Sequence, residues 1–340
     1  MFLALSSCIS LRVRTAAHTS GQLVRDTVEA PSLAGNRLGD PARRPALVYL
    51  PPGYATSGRR YPVVYALHGF DATPRAYESG RVRLRTVMDS LIAAGAARPV
   101  IVVVPDAFNA YGGAFYTNSP VAGNWADFVA RDLPAHMDRR YRTQARAASR
   151  GIFGHSMGGF GALTLAARHP DVFGAVYAAS PCCFGPRMMD DLARRWPEVL
   201  ADPAGAARGG FYPRLLLALA TAHTPAPGTP PPSVTFPVRL DAGGALVLVE
   251  PAHSRWTALT PTTLVRDHAA GLRRLRGIRF DVGTADGFTH ILPNLRELSA
   301  ALDSAGIRHT FQPYAGDHVS GLGPRFSTEV IPFFSATLQH

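Results

Sequence analysis

One pentapeptide in the chain has the residue types and spacing of an activated serine. Residues 154–158 read Gly-His-Ser-Met-Gly, which matches the pattern G-x-S-x-G. In this pattern the serine lies at a tight turn from a strand into a helix, and the small neighbours let the two elements approach closely. The free N–H groups of the helix then favour the negative charge that develops in acyl transfer. A phosphate loop would need G-K-[ST], but the chain has no lysine. Ser156 is therefore the candidate nucleophile.

A serine hydroxyl becomes a nucleophile when a histidine removes its proton and a carboxylate orients that histidine. After a turn of this kind, the carboxylate and then the histidine follow later in the chain. Asp286 lies just past the apolar run 278–282, which predicts a core strand, and sites of open α/β sheets collect at the carboxyl ends of such strands. Asp281 lies within the same strand and is the weaker candidate. We therefore expect Asp286 to be the acid of a catalytic triad.

Three histidines downstream of Asp286 compete for the role of base. His318 lies on the predicted loop after the last strand, 310–314, in the sequence Gly-Asp-His. His290 follows Asp286 closely, at the predicted start of a helix, and His309 precedes its strand. The loop position favours His318, with His290 as the alternative.

Acyl transfer also needs backbone N–H donors for the oxyanion. In this type of site one donor is the residue after the nucleophile, here Met157, and the other comes from an earlier strand-to-loop turn. The chain has such a turn at His68-Gly69-Phe70, because Gly69 lets the backbone turn sharply after an apolar run. We expect the amides of Phe70 and Met157 to form the oxyanion hole and the His68 side chain to be structural.

The elements that must position these residues are short apolar runs alternating with helical patterns. Runs that are apolar on both faces suit central strands of a parallel sheet. The predicted central strands span 62–67, 99–104, 151–154, 174–179 and 278–282. The earlier run 46–50 ends in Pro-Pro-Gly and suits an antiparallel edge strand. Helical spacing predicts helices over 82–94, 125–141 and 292–302. The alternation favours an α/β fold with a mostly parallel, doubly wound sheet and helices on both faces.

One region interrupts this alternation. Between about 184 and 271 the pattern loosens, with a Pro-rich stretch at 225–232. We interpret this region as an insertion over the sheet within a single domain that spans 21–340. A predicted tail, 1–20, precedes that domain.

The tail contains Leu5-Ser6-Ser7-Cys8, which is similar to a bacterial lipoprotein cleavage box. The apolar stretch before it is too short for a signal peptide. Two interpretations therefore stay open. A truncated export signal favours a secreted or periplasmic protein, and an unstructured tail leaves a cytoplasmic one.

The cysteines and histidines show no metal-binding or redox spacing. Cys8, Cys182 and Cys183 provide neither a disulfide framework nor a C-x-x-C pair, and burial is the expected role of the adjacent pair. The 12 histidines are scattered and include no H-E-x-x-H motif. We expect no metal and no other cofactor.

The composition excludes two classes of protein. With 46% hydrophobic residues the chain can bury a core, which excludes a wholly disordered protein. No run approaches the length of a membrane span, which excludes an integral membrane protein. The net charge of +11, carried entirely by arginine, raises the possibility of a nucleic-acid partner. The arginines are scattered and lack an aromatic-interleaved platform, so we interpret the charge as compositional drift and expect no nucleic acid as partner. The remaining interpretation is a basic surface that attracts an anionic ester or a negatively charged cell-surface polymer.

Five segments in the right order resemble the α/β-hydrolase esterases of the esterase D group. These segments are YLPPGY at 49–54, YPVVYALHGF at 61–70, GHSMGGFGAL at 154–163, Asp286, and Gly-Asp-His at 316–318. That group includes S-formylglutathione hydrolases, feruloyl and related carboxylesterases, enterochelin esterases and the antigen 85 mycolyltransferases. The resemblance covers roughly residues 45–183 and 275–338. It implies an α/β-hydrolase fold with a Ser156–His318–Asp286 triad and an oxyanion hole from Phe70 and Met157.

The sequence departs from that group in ways that bear on the substrate. The cysteine-bearing loop typical of S-formylglutathione hydrolases is replaced by Phe-Asp-Ala-Thr-Pro at 70–74, which weakens a glutathione thioester assignment. The stretches 115–120 and 123–125 resemble a loop that many esterases of the group carry. Two interpretations of its Tyr116 and Trp125 stay open, since they either line the substrate pocket or pack the loop against the sheet.

The leading functional hypothesis is a serine hydrolase that cleaves carboxylic esters through an acyl-enzyme on Ser156. The expected partner is a small-molecule or saccharide-linked ester. The alternative is an acyltransferase of the antigen 85 type, in which a sugar or alcohol replaces water as acceptor. A remoter alternative is a non-catalytic binding protein on the same fold.

Overall fold

The computed structural model describes residues 20–340, and its centre is an eight-stranded sheet. Seven of the strands match the six apolar runs and the late strand that the sequence predicts, to within three residues at each end. The strands are β1 Gln22–Glu29, β2 Arg43–Leu50, β3 Val63–Leu67, β4 Ile101–Pro105, β5 Arg150–His155, β6 Ala175–Ala179, β7 Gly277–Gly283 and β8 Thr310–Tyr314.

The order of strands across the sheet is β1-β2-β4-β3-β5-β6-β7-β8. β1 pairs antiparallel with β2, β2 pairs antiparallel with β4, and the remaining neighbours are parallel. The prediction that 46–50 forms an edge strand is wrong, because β1 covers β2 on its outer side. The five parallel strands after β4 place their carboxyl ends, and the loops that follow them, at one edge of the sheet.

Helices cover both faces of the sheet, as the doubly wound prediction requires. The longer helices are α1 Leu84–Ala93, α2 Leu133–Arg140, α3 Met157–Arg168, α4 Gly185–Leu192, α5 Phe211–His223, α6 Pro261–Arg274, α7 Ile291–Ser304 and α8 Ile331–Thr337. Shorter helical segments lie at Tyr54–Ser57, Arg75–Glu78, Trp125–Asp127, Trp196–Ala201, Ala252–Thr257 and Leu322–Arg325.

Two hydrophobic cores result from the strand periodicity of two. In β3, Val63 and Tyr65 face the core that contains α2, α3 and α7, whereas Val64 and Ala66 face the core that contains α1 and α8. All these side chains are fully buried. A strand apolar on both faces is therefore explained by a helical layer on each side.

The long segment between β6 and β7 folds over the carboxyl edge of the sheet. It contains α4, α5 and a small two-stranded ribbon, Val238–Leu240 with Leu246–Leu248, before α6 returns to the side of α3 and α7. The division into one domain with an insertion at about 184–271 stays a prediction. The predicted tail lies outside the described residues, apart from its last residue.

Within residues 20–340, no helix combines the length and the apolar character that crossing a membrane would require.

Candidate active site

Ser156 lies at the turn between β5 and α3. Its backbone has φ 57° and ψ −120°, in the left-handed half of conformational space that a serine rarely adopts. A Cβ on Gly154 would overlap the backbone of Gly158, and one on Gly158 would overlap the carbonyl of Leu67. The glycines of the motif are therefore required by the close approach of β5, α3 and β3, which presents the serine above the sheet.

The structure brings Asp286 and His318 together with Ser156. His318 Nε2 lies 2.9 Å from Ser156 Oγ, and His318 Nδ1 lies 2.7 Å from Asp286 Oδ2. Asp286 also accepts a hydrogen bond from the Phe288 amide at 2.9 Å, and its side chain is only 2% exposed. An imidazole protonated on Nδ1 donates to the carboxylate and leaves Nε2 free to accept the serine proton. This is the geometry of a nucleophile, base and acid.

A second histidine supports the loop that carries His318. His155 Nε2 donates a hydrogen bond to the carbonyl oxygen of His318 at 2.6 Å, and the two rings lie 4.9 Å apart. Burial lowers the pKa of His155 to about 4, and the nearby His318 adds to the effect. His155 is therefore neutral near pH 7. The sequence analysis missed this role, although His155 is the variable residue directly before the serine.

The turn that follows β3 lies beside Ser156. A Cβ on Gly69 would lie 3.4 Å from the Cβ of Ser156, so this turn contacts the serine. Met157 opens α3, where N–H groups have no acceptor within the helix. The neighbouring amide of Asp71 bonds to Gly112 O at 2.9 Å, whereas the Phe70 amide has no acceptor among the described residues. Two free N–H groups thus border the serine.

The side chain of His68 holds this turn in place through two hydrogen bonds. It is fully buried, its Nδ1 donates to Gly69 O at 2.8 Å, and its Nε2 accepts from the Ala107 amide at 2.9 Å. Burial lowers the pKa of His68, which keeps it neutral. Both ring nitrogens bond to backbone groups, as expected of a structural residue.

The competing candidates lie elsewhere. Asp281 is fully buried within β7 and accepts hydrogen bonds from Tyr177 Oη and Arg325 Nε, each at 2.6 Å. His290 Nδ1 lies 2.7 Å from Asp191 Oδ2, in a second histidine–carboxylate pair. His309 bonds to Ser299 Oγ at 2.7 Å, at the amino end of β8. None of these side chains contacts Ser156 Oγ.

The structure does not bring Tyr116 and Trp125 to the cleft. Tyr116 is 1% exposed, packs under α3 where Gly161 leaves room for its ring, and donates from Oη to His68 O at 2.9 Å. Trp125 is fully buried and donates from Nε1 to Ala122 O at 2.7 Å. Both residues pack their loop against the sheet, the second of the two interpretations left open above.

A cleft of about 350 Å³ opens over the serine. Its lining includes Phe70, Arg81, Ser156, Phe211, His318 and Leu322. Phe211, at the start of α5, packs edge-on against Phe70 with ring centroids 5.3 Å apart. Three residues further along α5, Arg214 forms a two-pronged ion pair with Asp71, with both N···O distances at 2.8 Å. The segment between β6 and β7 is thus attached directly to the turn after β3.

Cys182 and Cys183 form a disulfide between adjacent residues, and the expectation of simple burial is therefore incomplete. The pair follows β6 at the carboxyl edge of the sheet and lies against Ser156, since the Cys182 amide donates to Ser156 O at 3.4 Å. Two consecutive cysteines were the only sequence signal for this bond.

In the described part of the chain, no three His, Cys, Asp or Glu side chains converge as metal ligands. That the site works without a cofactor stays a prediction.

Parts of the chain are similar in sequence to a known esterase and a known hydrolase. A stretch of 129 residues is 37% identical to Esterase Rv1288 of Mycobacterium tuberculosis and covers 36% of this chain. A stretch of 171 residues is 31% identical to an S-formylglutathione hydrolase of Arabidopsis thaliana and covers 44% of this chain. The matches span only 25% and 60% of those two relatives.

A solved ferulic acid esterase superposes with a TM-score of 0.66 over 94% of this chain and 99% of that one, at 23% identity. The α/β-hydrolase fold is thereby confirmed. The family model described as "Putative esterase" matches residues 39–325, which is most of the chain. The protein is a member of this esterase family.

Proposed function

We propose that this protein is a serine carboxylesterase in which Ser156, His318 and Asp286 form the catalytic triad. The observation that carries the proposal is the continuous chain of hydrogen bonds from Asp286 through His318 to Ser156 Oγ, at 2.7 and 2.9 Å. The serine also stands beside two amides without an acceptor, at Phe70 and Met157. This arrangement supports the assignment of Ser156 as nucleophile, His318 as base, Asp286 as acid and the two amides as oxyanion donors.

The reaction follows from these contacts in two halves. His318 Nε2 takes the proton of Ser156 as Oγ attacks the ester carbonyl, and the negative charge on the carbonyl oxygen is held by the Phe70 and Met157 amides. Asp286 holds the imidazole in its reactive tautomer and stabilises the imidazolium. The same Nε2 then gives the proton to the leaving alcohol, which departs and leaves an acyl-enzyme. Water, activated by His318, releases the acid and restores the serine.

The position of His318 orients the substrate. Because its Nε2 must reach the alcohol oxygen, the alcohol lies on the side of the cleft lined by His318, Val319 and Leu322. Arg81 lines the same cleft and is exposed. An alcohol moiety that carries negative charge would be favoured there, in keeping with the net positive charge of the chain.

The proposal is tested by hydrolysis of p-nitrophenyl esters with the wild type and the variant Ser156→Ala. Removal of a triad serine lowers kcat by up to about a million-fold in comparable sites. A fluorophosphonate probe should label the wild type and not the variant. Comparable hydrolysis by Ser156→Ala would refute the mechanism, and an unlabelled, inactive wild type would favour the binding-protein alternative.

An acyltransferase would use the same residues up to the acyl-enzyme and differ only in the acceptor. A product that forms only when a sugar or alcohol is added, with slow hydrolysis in water, would identify that alternative. The absence of a nucleic-acid partner stays a prediction.

A further inference from the structure

A second, narrower pocket opens from Ser156, and His318 does not line it. Its lining is apolar apart from the serine and one histidine, and it includes Phe70, Cys182, Cys183, Met188, Leu192 and Leu219. Its volume is about 20 Å³, roughly the space of a single water molecule. The pocket shares Phe70, Ser156, Phe211 and Phe288 with the larger cleft, so the two spaces meet at the nucleophile.

The division of the substrate between the two spaces follows from the proton transfer. The leaving alcohol must lie near His318 Nε2, and His318 lines the large cleft but not the narrow pocket. The acyl group is on the opposite side of the carbonyl carbon from the alcohol oxygen. The narrow pocket is therefore the space into which the acyl group projects.

The disulfide forms part of the wall of this pocket and is fixed at both residues. The Cys182 amide donates to Ser156 O at 3.4 Å, and the Cys183 amide donates to His290 Nε2 at 3.3 Å. His290 is held in turn by Asp191, through its Nδ1 at 2.7 Å. Cys183 has φ 76°, a backbone conformation that residues with a side chain rarely adopt.

The closed ring also restricts the side chains. While the two sulfurs are bonded, neither cysteine can change its rotamer alone, and both are at most 6% exposed. Once the bond is broken, each side chain can rotate separately, and Cys183 can leave its positive φ. The wall can then move away from a longer acyl group.

We propose that the Cys182–Cys183 disulfide sets the size of the acyl group that the enzyme accepts. With the disulfide closed, the pocket takes an acetyl-sized group, and a dithiol that reduces the disulfide shifts the selectivity toward longer chains. This proposal rests on the esterase function proposed above, because it assumes an acyl-enzyme on Ser156.

The reduction is an ordinary thiol–disulfide exchange. A thiolate of the dithiol attacks one cysteine sulfur, the S–S bond breaks, and the other cysteine leaves as a thiolate that takes a proton from water. The second thiol of the reagent then attacks the mixed disulfide and releases the first cysteine. Two electrons pass to the protein, and the reagent ends as a cyclic disulfide.

The test uses a Cys8→Ser background, in which the pair provides the only cysteines. Intact mass and thiol alkylation after denaturation report whether the pair is bonded before and after dithiothreitol. The kcat/KM for p-nitrophenyl acetate and hexanoate is then measured in both states and in Cys182→Ala/Cys183→Ala. We expect the hexanoate-to-acetate ratio to rise about tenfold or more on reduction and in the double variant, since each methylene in an apolar pocket is worth about tenfold or more.

The matched control is dithiothreitol added to the double variant, which should change nothing. If the double variant does not fold, Met188→Ala, which enlarges the same pocket without touching the disulfide, should raise the ratio in the same direction. Free thiols in the purified protein, an unchanged ratio after verified reduction, or a pair that dithiothreitol cannot reduce would each overturn the proposal. If activity and fluorophosphonate labelling still depend on Ser156, these outcomes contradict the role of the disulfide and not the esterase mechanism.

Discussion

His155 Nε2 donates a hydrogen bond to the backbone carbonyl of His318 at 2.6 Å. The two residues are far apart in sequence, and this bond connects the end of β5 to the loop after β8. Because His155 directly precedes Ser156, the bond fixes the loop of His318 relative to Ser156. We infer that His155 is a positioning residue, since it contacts the backbone of His318, the proposed base, and not the reacting atoms.

Replacing His155 should therefore affect turnover more than substrate binding. In His155→Phe the carbonyl of His318 loses its donor inside the protein, and a lost partner of this kind costs about 1–3 kcal/mol. We expect kcat to fall about tenfold or more with little change in KM. His155→Gln, whose side-chain amide can donate in the same direction, should recover much of the loss. Equal losses in both variants, measured by steady-state kinetics, would exclude a positioning role through this bond.

The same histidine should make stability depend on pH. Burial lowers its pKa to about 4 in the folded protein, whereas an unperturbed histidine titrates near about 6.5. Between these values the unfolded chain binds the proton and the folded one does not, so protonation favours unfolding. The contribution is complete above about pH 6.5, decreases as the pH falls, and is lost by about pH 4. Over this window the loss is about 3 kcal/mol.

Urea unfolding at pH 7, 5 and 4 measures this contribution. As the pH is lowered, the free energy of unfolding of the wild type should decrease more steeply than that of His155→Gln, which has no titrating group at this position. Parallel pH dependences for the two proteins would show that His155 does not carry the effect. His155 is only 8% exposed, so solvent screening reduces the difference little.

The predictable parts of the site are those with a local steric cause. The turn at Ser156 could be predicted from the sequence because Gly154 and Gly158 are required wherever a strand and a helix approach this closely. Strands apolar on both faces were equally clear. β1 was missed because its pattern is mostly polar and exposed, with Val28 its one fully buried residue. Its pairing with β2 depends on tertiary contacts that periodicity does not reveal.

The missed features depend on how distant segments meet. An aromatic residue in a loop near a serine can line a pocket or support a wall, and Tyr116 supports the wall because Gly161 of α3 leaves space for its ring. The disulfide likewise occurs together with a positive φ at Cys183, after β6. Neither condition is visible in the spacing of the residues themselves.

Asp286 and Asp281, five positions apart around the end of β7, should separate activity from stability. In Asp286→Asn the imidazole loses its acceptor and takes the wrong tautomer, so kcat should fall by about 10⁴-fold with a small change in the free energy of unfolding. Asp281→Asn instead leaves the Arg325 guanidinium without its buried carboxylate, which should lower stability by about 3 kcal/mol.

Kinetics at a temperature where both variants are folded, together with urea unfolding, measures the two effects. Asp281→Asn should retain kcat within a few-fold of the wild type. A large loss of kcat in that variant, or a near-normal rate in Asp286→Asn, would reverse the assignment of the acid.

The ion pair between Arg214 and Asp71 should couple α5 to the turn that carries the Phe70 amide. Arg214 belongs to the helix that holds Phe211 over the cleft, and Asp71 has φ 59° directly after Phe70. The two side chains are 20% and 34% exposed, so the pair contributes at most about 1 kcal/mol to stability. Its larger effect should be on the geometry of the site.

We expect Arg214→Ala and Asp71→Ala each to lower kcat/KM several-fold while the free energy of unfolding changes by less than about 1 kcal/mol. Because both substitutions break the same contact, the double variant should be no slower than either single variant. Arg266→Ala, which breaks the exposed pair with Asp267 on α6, is the matched control and should leave kcat/KM unchanged. Additive losses in the double variant would mean that the two residues act separately, and a loss in the control would point to a general effect of surface charge.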